Sequence, residues 1–217
     1  MKILLTGGTG MVGSNFLEHP SATEFEILAP SRNELDLRNF KKLQKYIYKH
    51  KPELVIHAAG KVGGIQANMQ YPVKFFLENL EIGKNIVIAS REANIKKLIN
   101  LAASCIYPTN YNKPLKEELV LKGELEPTNE AFALAKISIV QLCKYINQEN
   151  LKFKYKTLIP CNLYGRHDNF NPTNSHLIPA IIHKIYIAKK KKKKVLRFGA
   201  MDFHEENLCI LVILHLF

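Results

Sequence analysis

The sequence contains no tryptophan and only four cysteines among its 217 residues. The cysteines form neither a CxxC pair nor the spacing of zinc ligands, so we expect reduced thiols and no metal site. Uninterrupted apolar segments all fall short of the roughly 18 residues that a membrane-spanning helix requires. The first residues have the pattern of a strand and not of a basic, apolar leader. We therefore expect a cytoplasmic protein without a membrane partner.

Acidic residues are also in short supply, because 19 of them face 31 basic residues and leave a formal charge of +12. Half of that excess comes from one unbroken run of six lysines, Lys189 to Lys194. The basic residues lack the interleaved aromatic residues and the recognition motifs that are typical of nucleic acid binding. We therefore interpret the run as a solvated basic segment and predict no nucleic acid partner.

Five short apolar runs alternate with longer segments of helical character. The runs are Ile3–Leu5, Phe25–Ala29, Leu54–His57, Leu98–Ala102 and Tyr155–Ile159, and the helical segments lie around 11–18, 38–50, 72–93 and 130–148. Repeated strand and helix predict right-handed crossovers and a parallel sheet covered by helices on both faces. The predicted fold class is α/β, a doubly wound parallel sheet.

The segment TGGTGMVG, Thr6 to Gly13, follows the first apolar run directly. Its glycines at 7, 10 and 13 lie between a predicted strand and a predicted helix, which is the spacing of a dinucleotide-binding turn. The first glycine allows a tight turn, the second admits a pyrophosphate to the backbone, and the third lets the helix pack closely. The fold is thus predicted to be Rossmann-like, although a tight turn without a ligand is the alternative.

We assign residues 1–165 to the dinucleotide-binding domain. Residues 166–217 are interpreted as an incomplete substrate-binding region that contains the lysine run and an apolar end, Ile210 to Phe217. We expect this apolar end either to pack on the sheet or to form an association patch.

The end of the second predicted strand lacks the acidic residue that would accept a hydrogen bond from the ribose 2′-hydroxyl of NAD. Arg32 instead lies about 20 residues after Gly13, the interval expected for the ribose contact. Because a guanidinium group can pair with a 2′-phosphate, the sequence favours NADP(H) over NAD(H). A surface arginine without such a role is the alternative. We expect Asp36 and Leu37 to continue around the adenine.

Several motifs together resemble one family, the GDP-L-fucose synthases, which are extended short-chain dehydrogenase/reductases of the epimerase/dehydratase group. The similarity is carried by the glycine turn and by HAAGKVGGIQANMQYP (His57–Pro72), SCIYP (Ser104–Pro108), LEPTNEAFALAK (Leu125–Lys136) and NLYGRHDNFNPTNSHLIPA (Asn162–Ala180). It covers about residues 1–190. The resemblance implies that GDP-4-keto-6-deoxy-D-mannose is epimerised at C3 and C5 and reduced at C4 with NADPH.

Two kinds of group are implied by this resemblance. A cysteine and a histidine of the family exchange protons during epimerisation, and Cys105 and His176 occupy the matching positions. A Ser, Tyr and Lys set supports reduction, with the lysine one helical turn after the tyrosine. Lys136 is in place, but Phe132 stands at the tyrosine position and Ala103 at the serine position. Neither replacement carries a hydroxyl group, so we expect severely impaired reduction.

The remaining contacts complete the prediction. The expected cofactor-binding residues are Gly7, Gly10, Met11, Val12, Gly13, Arg32, Asp36, Leu37, Leu101, Ser104, Lys136, Asn162 and Leu163. The resemblance assigns His176 to the substrate as well, and Lys184 to a basic position that meets the GDP phosphates. We do not expect Ser104 to replace the missing donor, because neighbouring residues of a strand face opposite sides. Tyr107 is another candidate donor.

Each candidate also has a plainer interpretation. Cys105 could be a small buried thiol, His176 the residue that starts a helix, and Lys136 a solvated helix residue. Lys184 could be a surface lysine.

Three functions stay open at the level of sequence. The first is a GDP-sugar epimerase/reductase that uses NADPH and retains chiefly its epimerising half. The second is a non-catalytic NADP-binding remnant or partner subunit. The third is an enzyme of the same type that acts on another nucleotide sugar. The helices predicted at 72–93 and 130–148, where family members dimerise, are the expected contact of a homodimer.

Overall fold

The computed structural model describes residues 1–171 and 175–191, together with the backbone of a strand at 208–210. Its strands are β1 (Lys2–Thr6), β2 (Glu26–Leu28), β3 (Leu54–His57), β4 (Lys97–Leu101), β5 (Lys154–Leu158), β6 (Asn162–Tyr164) and β7 (Leu208–Ile210). Its helices are α1 (Met11–Glu18), α2 (Phe40–His50), α3 (Ile65–Gln70), α4 (Pro72–Glu92), α5 (Glu130–Glu149) and α6 (Leu177–Lys190). Short 3₁₀ turns span Pro20–Glu24, Ser104–Ile106 and Glu117–Leu119.

Five parallel strands form the central sheet in the order β2-β1-β3-β4-β5. This arrangement confirms the predicted doubly wound α/β fold. The strand order reverses between β1 and β3, and ligands of such sheets bind in the crevice outside the carboxyl ends of the strands at this point. The glycine turn that follows β1 lies at this crevice.

Side chains from both faces of the sheet are buried, as expected for a sheet that helices cover on two sides. Leu4, Val55 and Leu98 project to one face and form the larger apolar cluster with residues of α2, α4 and α5. Ile3 and Leu5 alternate with them and pack on the opposite face with Phe16 of α1 and other residues. Full burial of one such side chain contributes roughly 1.5–3 kcal/mol to the stability of the fold.

Helix α5 crosses the sheet beside α4 and carries one residue of the predicted site. Its residues Ala133 and Ala135 are fully buried, with 0% exposed surface each. These small side chains allow the helix to approach the sheet closely, so the next residue, Lys136, reaches the last residue of β4. The predicted helices 72–93 and 130–148 correspond to α4 and α5.

Two helices were not predicted from the sequence pattern. Helix α3 is only six residues long, and α6 follows a segment rich in asparagine and proline. In the described part of the chain, no helix combines the length and apolar character needed to cross a membrane.

The second region is described only in part. Strands β6 and β7 pair in parallel as a separate small sheet. The apolar end after Ile210 and the last three lysines of the basic run, Lys192 to Lys194, lie outside the described residues. The domain division after residue 165 stays a prediction.

Strand β5 is the outermost strand of the described five-stranded sheet. The side chain of Asn147 on α5 donates a hydrogen bond to the carbonyl oxygen of Tyr155 at 2.8 Å and accepts one from its N–H at 2.9 Å. Beside this pair lies an open groove of about 380 Å³, which Val140, Cys143 and Leu151 help to line.

Candidate active site

The glycine turn between β1 and α1 has a backbone that excludes side chains at two positions. Gly7 has a φ of +77°, and a Cβ atom there would lie 2.7 Å from the backbone nitrogen of Ala59. A Cβ atom on Gly13 would lie 2.2 Å from the carbonyl oxygen of Gly7. The N–H of Gly10 donates to that same carbonyl at 3.0 Å and closes the turn. The turn therefore has the geometry that the glycine spacing predicts.

The amino end of α1 is open on the side that a phosphate would approach. The helix begins after Gly10 without a side-chain cap, so its first N–H groups, including those of Met11 and Val12, have no intrahelical partner. A Cβ atom placed on Gly10 would meet a single neighbour within 4 Å, the carbonyl of Gly7 at 3.4 Å. Unpaired N–H groups and the positive end of the helix dipole bind anions. These residues therefore fit the pyrophosphate of a dinucleotide.

Two arginines in the segment after β2 differ in their contacts. Arg38 hydrogen-bonds both carboxylate oxygens of Asp36, and this contact, with the charges of Arg38 and Arg32, lowers the pKa of Asp36 to about 2. The carbonyl of Leu37 accepts a hydrogen bond from Asn85 at 2.9 Å. Arg32 is exposed at the same end of the sheet. Asp36 is thus occupied by Arg38, whereas the guanidinium of Arg32 faces solvent.

A buried, neutral histidine, His57, is the last residue of β3 and lies beside the end of β1. His57 is 2% exposed, and its Nδ1 lies 2.8 Å from Oγ1 of Thr6. Burial, and to a smaller extent the positive charge of Lys136, lower the pKa of His57 to about 3. The imidazole is therefore uncharged at neutral pH and has a structural hydrogen bond.

Cys105 and Lys136, two of the predicted site residues, lie close enough for their charges to interact. Cys105 lies in the 3₁₀ turn after β4, and Nζ of Lys136 donates to the carbonyl oxygen of Leu101 at 3.0 Å. Burial raises the pKa of the Cys105 thiol to about 11, and the charge of Lys136 opposes this shift. Burial lowers the pKa of Lys136 to about 8, with Cys105 acting in the opposite direction. The two groups are therefore close enough to influence each other.

Two other predicted positions differ from the strand geometry assumed in the sequence analysis. Ser104 does not lie in a strand, because β4 ends at Leu101 and a 3₁₀ turn begins at Ser104. The argument that Ser104 cannot replace a hydroxyl at position 103 because neighbouring strand residues face opposite sides therefore does not apply. Ala103 precedes the turn in an extended conformation and contributes no hydroxyl group.

Phe132 occupies the space beside the lysine. The centre of its ring lies 5.7 Å from Nζ of Lys136, and the ring meets that of Phe75 edge-on, with 6.5 Å between centroids. The ring is thus held between an ammonium group and a second aromatic ring, but it offers no proton.

The loop Gly60 to Gly64, part of the motif His57–Pro72, links the glycine turn to the region of Cys105 and Lys136 through contacts that the sequence pattern did not indicate. Ala59 contacts Gly7, and a Cβ atom on the next residue, Gly60, would lie 3.5 Å from Nζ of Lys136. The side chain of Asn79 accepts from the N–H of Lys61 at 2.9 Å and donates to its carbonyl at 3.0 Å. Asn79 is 3% exposed. The sequence signal of this contact was an asparagine within a predicted helical segment.

A second asparagine holds the far end of the same loop. The side-chain nitrogen of Asn68 donates to the carbonyls of Gly63 at 2.9 Å and Gly64 at 3.1 Å. A Cβ atom on Gly64 would lie 2.8 Å from the carbonyl of Ser175. The loop therefore contacts the segment that leads into α6.

His176 is the N-cap residue of α6, so its interpretation as a helix start agrees with the structure. Its side chain is exposed, and within the described residues no hydrogen bond joins it to Cys105. Lys184 lies about two turns further along the same helix and is half-buried. Asn162 and Leu163 lie on β6. Among the described residues, Cys105 and Lys136 interact electrostatically, and no hydrogen bond joins His176 to either of them.

The chain after β6 returns to the glycine turn through contacts that the sequence did not reveal. The side chain of Asn15 in α1 donates to the carbonyl of Arg166 at 2.8 Å. Glu18 of the same helix pairs with Arg166 at 3.4 Å and with His167 at 2.8 Å. The segment that follows β6 is therefore fastened along α1.

Comparison with known proteins identifies the family. Residues 3–204 match the model of the NAD dependent epimerase/dehydratase family. The chain belongs to this family. GDP-L-colitose synthase of Yersinia pseudotuberculosis is 53% identical over 188 residues, which are 87% of this chain and 61% of that protein. GDP-L-fucose synthase of Azorhizobium caulinodans is 47% identical over 189 residues, again 87% of this chain and 60% of that protein.

The same family provides similar solved structures. The crystal structure of a GDP-L-fucose synthetase from Naegleria fowleri bound to NADP matches with a TM-score of 0.83 and 31% sequence identity. The match covers 92% of this chain and 66% of that chain. The chain spans about 60% of the length of the curated relatives given above. The resemblance stated from the motifs is therefore confirmed at the level of the family.

Proposed function

We propose that the chain binds NADP(H) and epimerises GDP-4-keto-6-deoxy-D-mannose at C3 and C5, with impaired reduction at C4. This proposal rests on the proximity of Cys105 and Lys136 at the carboxyl ends of the strands, where the glycine turn also lies. Ala59 contacts the turn and Gly60 borders Lys136, so a cofactor site and a proton-transfer site share the end of β3. The relatives named for GDP-L-fucose and GDP-L-colitose synthesis support the substrate class.

Several residues of this chain would hold the cofactor. The open N–H groups of Met11 and Val12 fit the pyrophosphate, and the exposed guanidinium of Arg32 fits a 2′-phosphate. Lys136 is suited to the ribose next to the nicotinamide, and Asn162 and Leu163 remain proposed nicotinamide contacts. Bound NADPH supplies the hydride for reduction of a ketone. The solved relative bound to NADP supports this choice of cofactor.

Epimerisation next to a ketone needs one group that removes a proton and another that returns one to the opposite face. The raised pKa of Cys105, about 11, keeps its thiol protonated at neutral pH and suits it to return a proton. Imidazole is the general base most often used in proteins, and His176 is exposed at the start of α6. Lys184 on that helix is a proposed contact of the GDP phosphates.

Reduction requires a proton donor for the oxygen that receives negative charge. Phe132 and Ala103 supply no hydroxyl group at the positions where the resemblance expects tyrosine and serine. Positioned acid catalysis contributes on the order of 10²–10⁴-fold to rate. We therefore expect C4 reduction to be slower by a factor of this order than in a chain that carries both hydroxyl groups.

A non-catalytic NADP-binding protein is the second candidate. It is favoured by the ring of Phe132, which fills the position of a proton donor beside Lys136. In this case the glycine turn and Arg32 retain cofactor binding while the chemistry is lost.

Incubation with GDP-4-keto-6-deoxy-D-mannose and NADPH in D₂O separates the two candidates. We expect deuterium at C3 and C5 by NMR, with NADPH oxidation slower by roughly 10²–10⁴-fold than in a chain that carries both hydroxyl groups. Cys105→Ala should abolish deuterium entry and retain NADPH binding, whereas the core variant Cys143→Ala, whose thiol lies away from the site, should retain both. Cofactor binding without deuterium entry would support the non-catalytic candidate. Oxidation as fast as in a chain with both hydroxyl groups would contradict the expected impairment.

We also propose a homodimer through α4 and α5. The two helices pack side by side, and α4 exposes 69% of Val73 and 54% of Leu77, while α5 exposes 54% of Tyr145. Apolar residues exposed along neighbouring helices form a surface that association would bury. Sedimentation equilibrium should give a dimer for the native chain and a monomer for Leu77→Lys, and a native monomer would contradict the proposal.

A further inference from the structure

Lys136 is a buried amine with unused hydrogen-bonding capacity. Its side chain belongs to a residue that is only 9% exposed. An ammonium group has three N–H donors. Among the described residues Nζ makes one hydrogen bond, to the carbonyl of Leu101. Nζ also borders Gly60 and the ring of Phe132, and its charge interacts with Cys105 in the neighbouring 3₁₀ turn. A buried donor without a partner is costly, so this amine is built to meet an acceptor that the free protein lacks.

The surroundings of Lys136 contain few other groups that can transfer a proton. Cys105 faces it from the 3₁₀ turn and His57 from the end of β3, with pKa values of about 11 and about 3. Neither of these groups changes its charge between pH 6 and about 9.5. The ammonium of Lys61 lies 6.0 Å from the centre of the Phe75 ring, on the loop above. Phe132 is the residue on α5 itself that borders Nζ.

Tyr107, the other candidate donor, is engaged elsewhere. Its pKa is raised by partial burial and by the negative charge of Glu117, which lies in a separate 3₁₀ turn. This environment disfavours the loss of a proton and places the hydroxyl near an acidic side chain outside the Cys105 and Lys136 pair. Tyr107 is therefore a poor replacement for the missing donor.

We propose that Lys136 itself donates the proton to the C4 oxygen of the sugar, in place of the hydroxyl that Phe132 lacks. This inference rests on the proposed function, since it assumes a bound 4-keto sugar and NADPH. It assigns to Lys136 a direct role in the slow residual reduction, beyond the contact with the cofactor.

The step balances in atoms and electrons. The C4 ketone is reduced and NADPH is oxidised to NADP. A C–H bond forms at C4 of the sugar as a C–H bond of NADPH breaks and its electron pair moves with the hydride, the π electron pair of the carbonyl moves to oxygen, and an O–H bond forms as one N–H bond of Lys136 breaks. The amine left on Lys136 is neutral and regains its proton from solvent. The lowered pKa of Lys136, about 8, makes this ammonium a better acid than an ordinary lysine while it stays protonated at neutral pH.

The test is the pH dependence of residual NADPH oxidation at saturating substrate and cofactor. We expect the rate to fall about tenfold per pH unit above the pKa of Lys136, since only the ammonium can donate. Lys136→Arg retains a positive charge but no acid of suitable pKa. Its rate of NADPH oxidation should therefore be at least about tenfold lower and should not decrease above the pKa of Lys136. Lys144→Arg on the exposed side of the same helix should leave rate and pH profile unchanged.

A second readout does not depend on activity. The ¹³Cε chemical shift of Lys136 in lysine-labelled protein, assigned by its loss in Lys136→Arg, gives the pKa of the amine directly. This midpoint, measured in the complex with NADP and GDP-sugar, should agree with the kinetic midpoint. A difference of more than about one pH unit between NMR and kinetics would overturn the proposal.

The outcomes separate this inference from the proposed function. Intact deuterium exchange and NADPH binding, with no reduction or with a pH profile that Lys136→Arg leaves unchanged, would refute the role of Lys136 alone. Absence of both exchange and cofactor binding in the folded protein would refute the proposed function and the inference with it.

Discussion

The site has two corners, the glycine turn and the group around Cys105 and Lys136. They differ in the kind of structure that their proposed roles require. The glycine turn between β1 and α1 acts through backbone geometry, and Gly7 and Gly13 occupy positions where a Cβ atom would meet backbone atoms at under 3 Å. The corner of Cys105 and Lys136 acts through side-chain groups, and there Phe132 provides a ring without a hydroxyl group. Both corners lie at the carboxyl ends of the parallel strands.

This difference shows that one fold can maintain binding geometry and proton transfer independently. The turn cannot lose Gly7 or Gly13 without a clash in the backbone, because these positions are part of the packing of β1 and α1. A phenol can become a phenyl ring at little cost in packing, since the ring still meets Phe75 edge-on. Loss of chemistry at Phe132 therefore carries no comparable penalty in stability.

The largest effect should come from restoring the missing hydroxyl groups. We expect Phe132→Tyr combined with Ala103→Ser to raise the rate of C4 reduction roughly 10²–10⁴-fold, because a positioned donor returns. The rate is measured as NADPH oxidation with the 4-keto sugar. Phe132→Leu with Ala103→Ser, which fills the site without a phenol, is the matched control. A folded, substrate-binding double mutant without any gain would remove the contrast between the corners.

The glycine turn should respond in its stability. Gly13→Ala places a methyl group against the carbonyl of Gly7 at 2.2 Å, so we expect a loss of about 1–3 kcal/mol or more in the free energy of unfolding. Gly10→Ala meets only one atom at 3.4 Å, so it should fold almost normally but bind NADPH at least tenfold more weakly. Urea unfolding and cofactor titration measure the two effects. Native stability and affinity in Gly13→Ala would contradict the packing argument.

Cofactor selectivity should depend on Arg32 and not on Arg38. A charged hydrogen bond to phosphate contributes about 1.5–3 kcal/mol, so Arg32→Ala should weaken NADPH binding roughly 10–100-fold and leave NADH binding unchanged. Arg38→Ala is the matched control, because this arginine is engaged with Asp36. Titration of both cofactors gives the affinities. An equal loss for NADPH and NADH would show that Arg32 does not recognise the 2′-phosphate.

The smallest effect at neutral pH concerns His57. Its pKa is about 3 in the folded chain and ordinary in the unfolded chain, so only the unfolded chain takes up this proton between pH 6.5 and 3. The free energy of unfolding should therefore fall on acidification, by up to about 1.4 kcal/mol per pH unit from this group. His57→Asn, which can retain a hydrogen bond to Thr6, should show a shallower fall. Equal slopes would assign the acid sensitivity to other groups.

The sequence predicted the sheet well because each of its strands overlaps a short run rich in apolar residues, although β4 and β5 also contain polar residues such as Asn100 and Lys156. Leu54–His57 is an observed strand with the same bounds as the predicted run, and the glycine spacing located the start of α1 at Met11. These features depend on local pattern. Cys105 and Lys136 could be paired only through the family resemblance, since they lie on different elements.

The rest of the site depends on contacts between distant residues. The clamps of Asn68 and Asn79 on the loop Gly60 to Gly64 have no local signature beyond a polar residue in a helix. Ser104 was expected in a strand, but the chain turns after Leu101 once the pairing with β5 ends. A sequence pattern does not indicate where ladder pairing stops.

Asn147 has a consequence for how the molecule meets other chains. Its side-chain amide satisfies both the N–H and the C=O of Tyr155, so it behaves like one residue of an additional strand. An incoming strand would have to displace this amide before it could extend the sheet there, and Lys154 and Lys156 add exposed positive charge on either side. The border of the sheet thus resists aggregation even though apolar residues line the neighbouring groove.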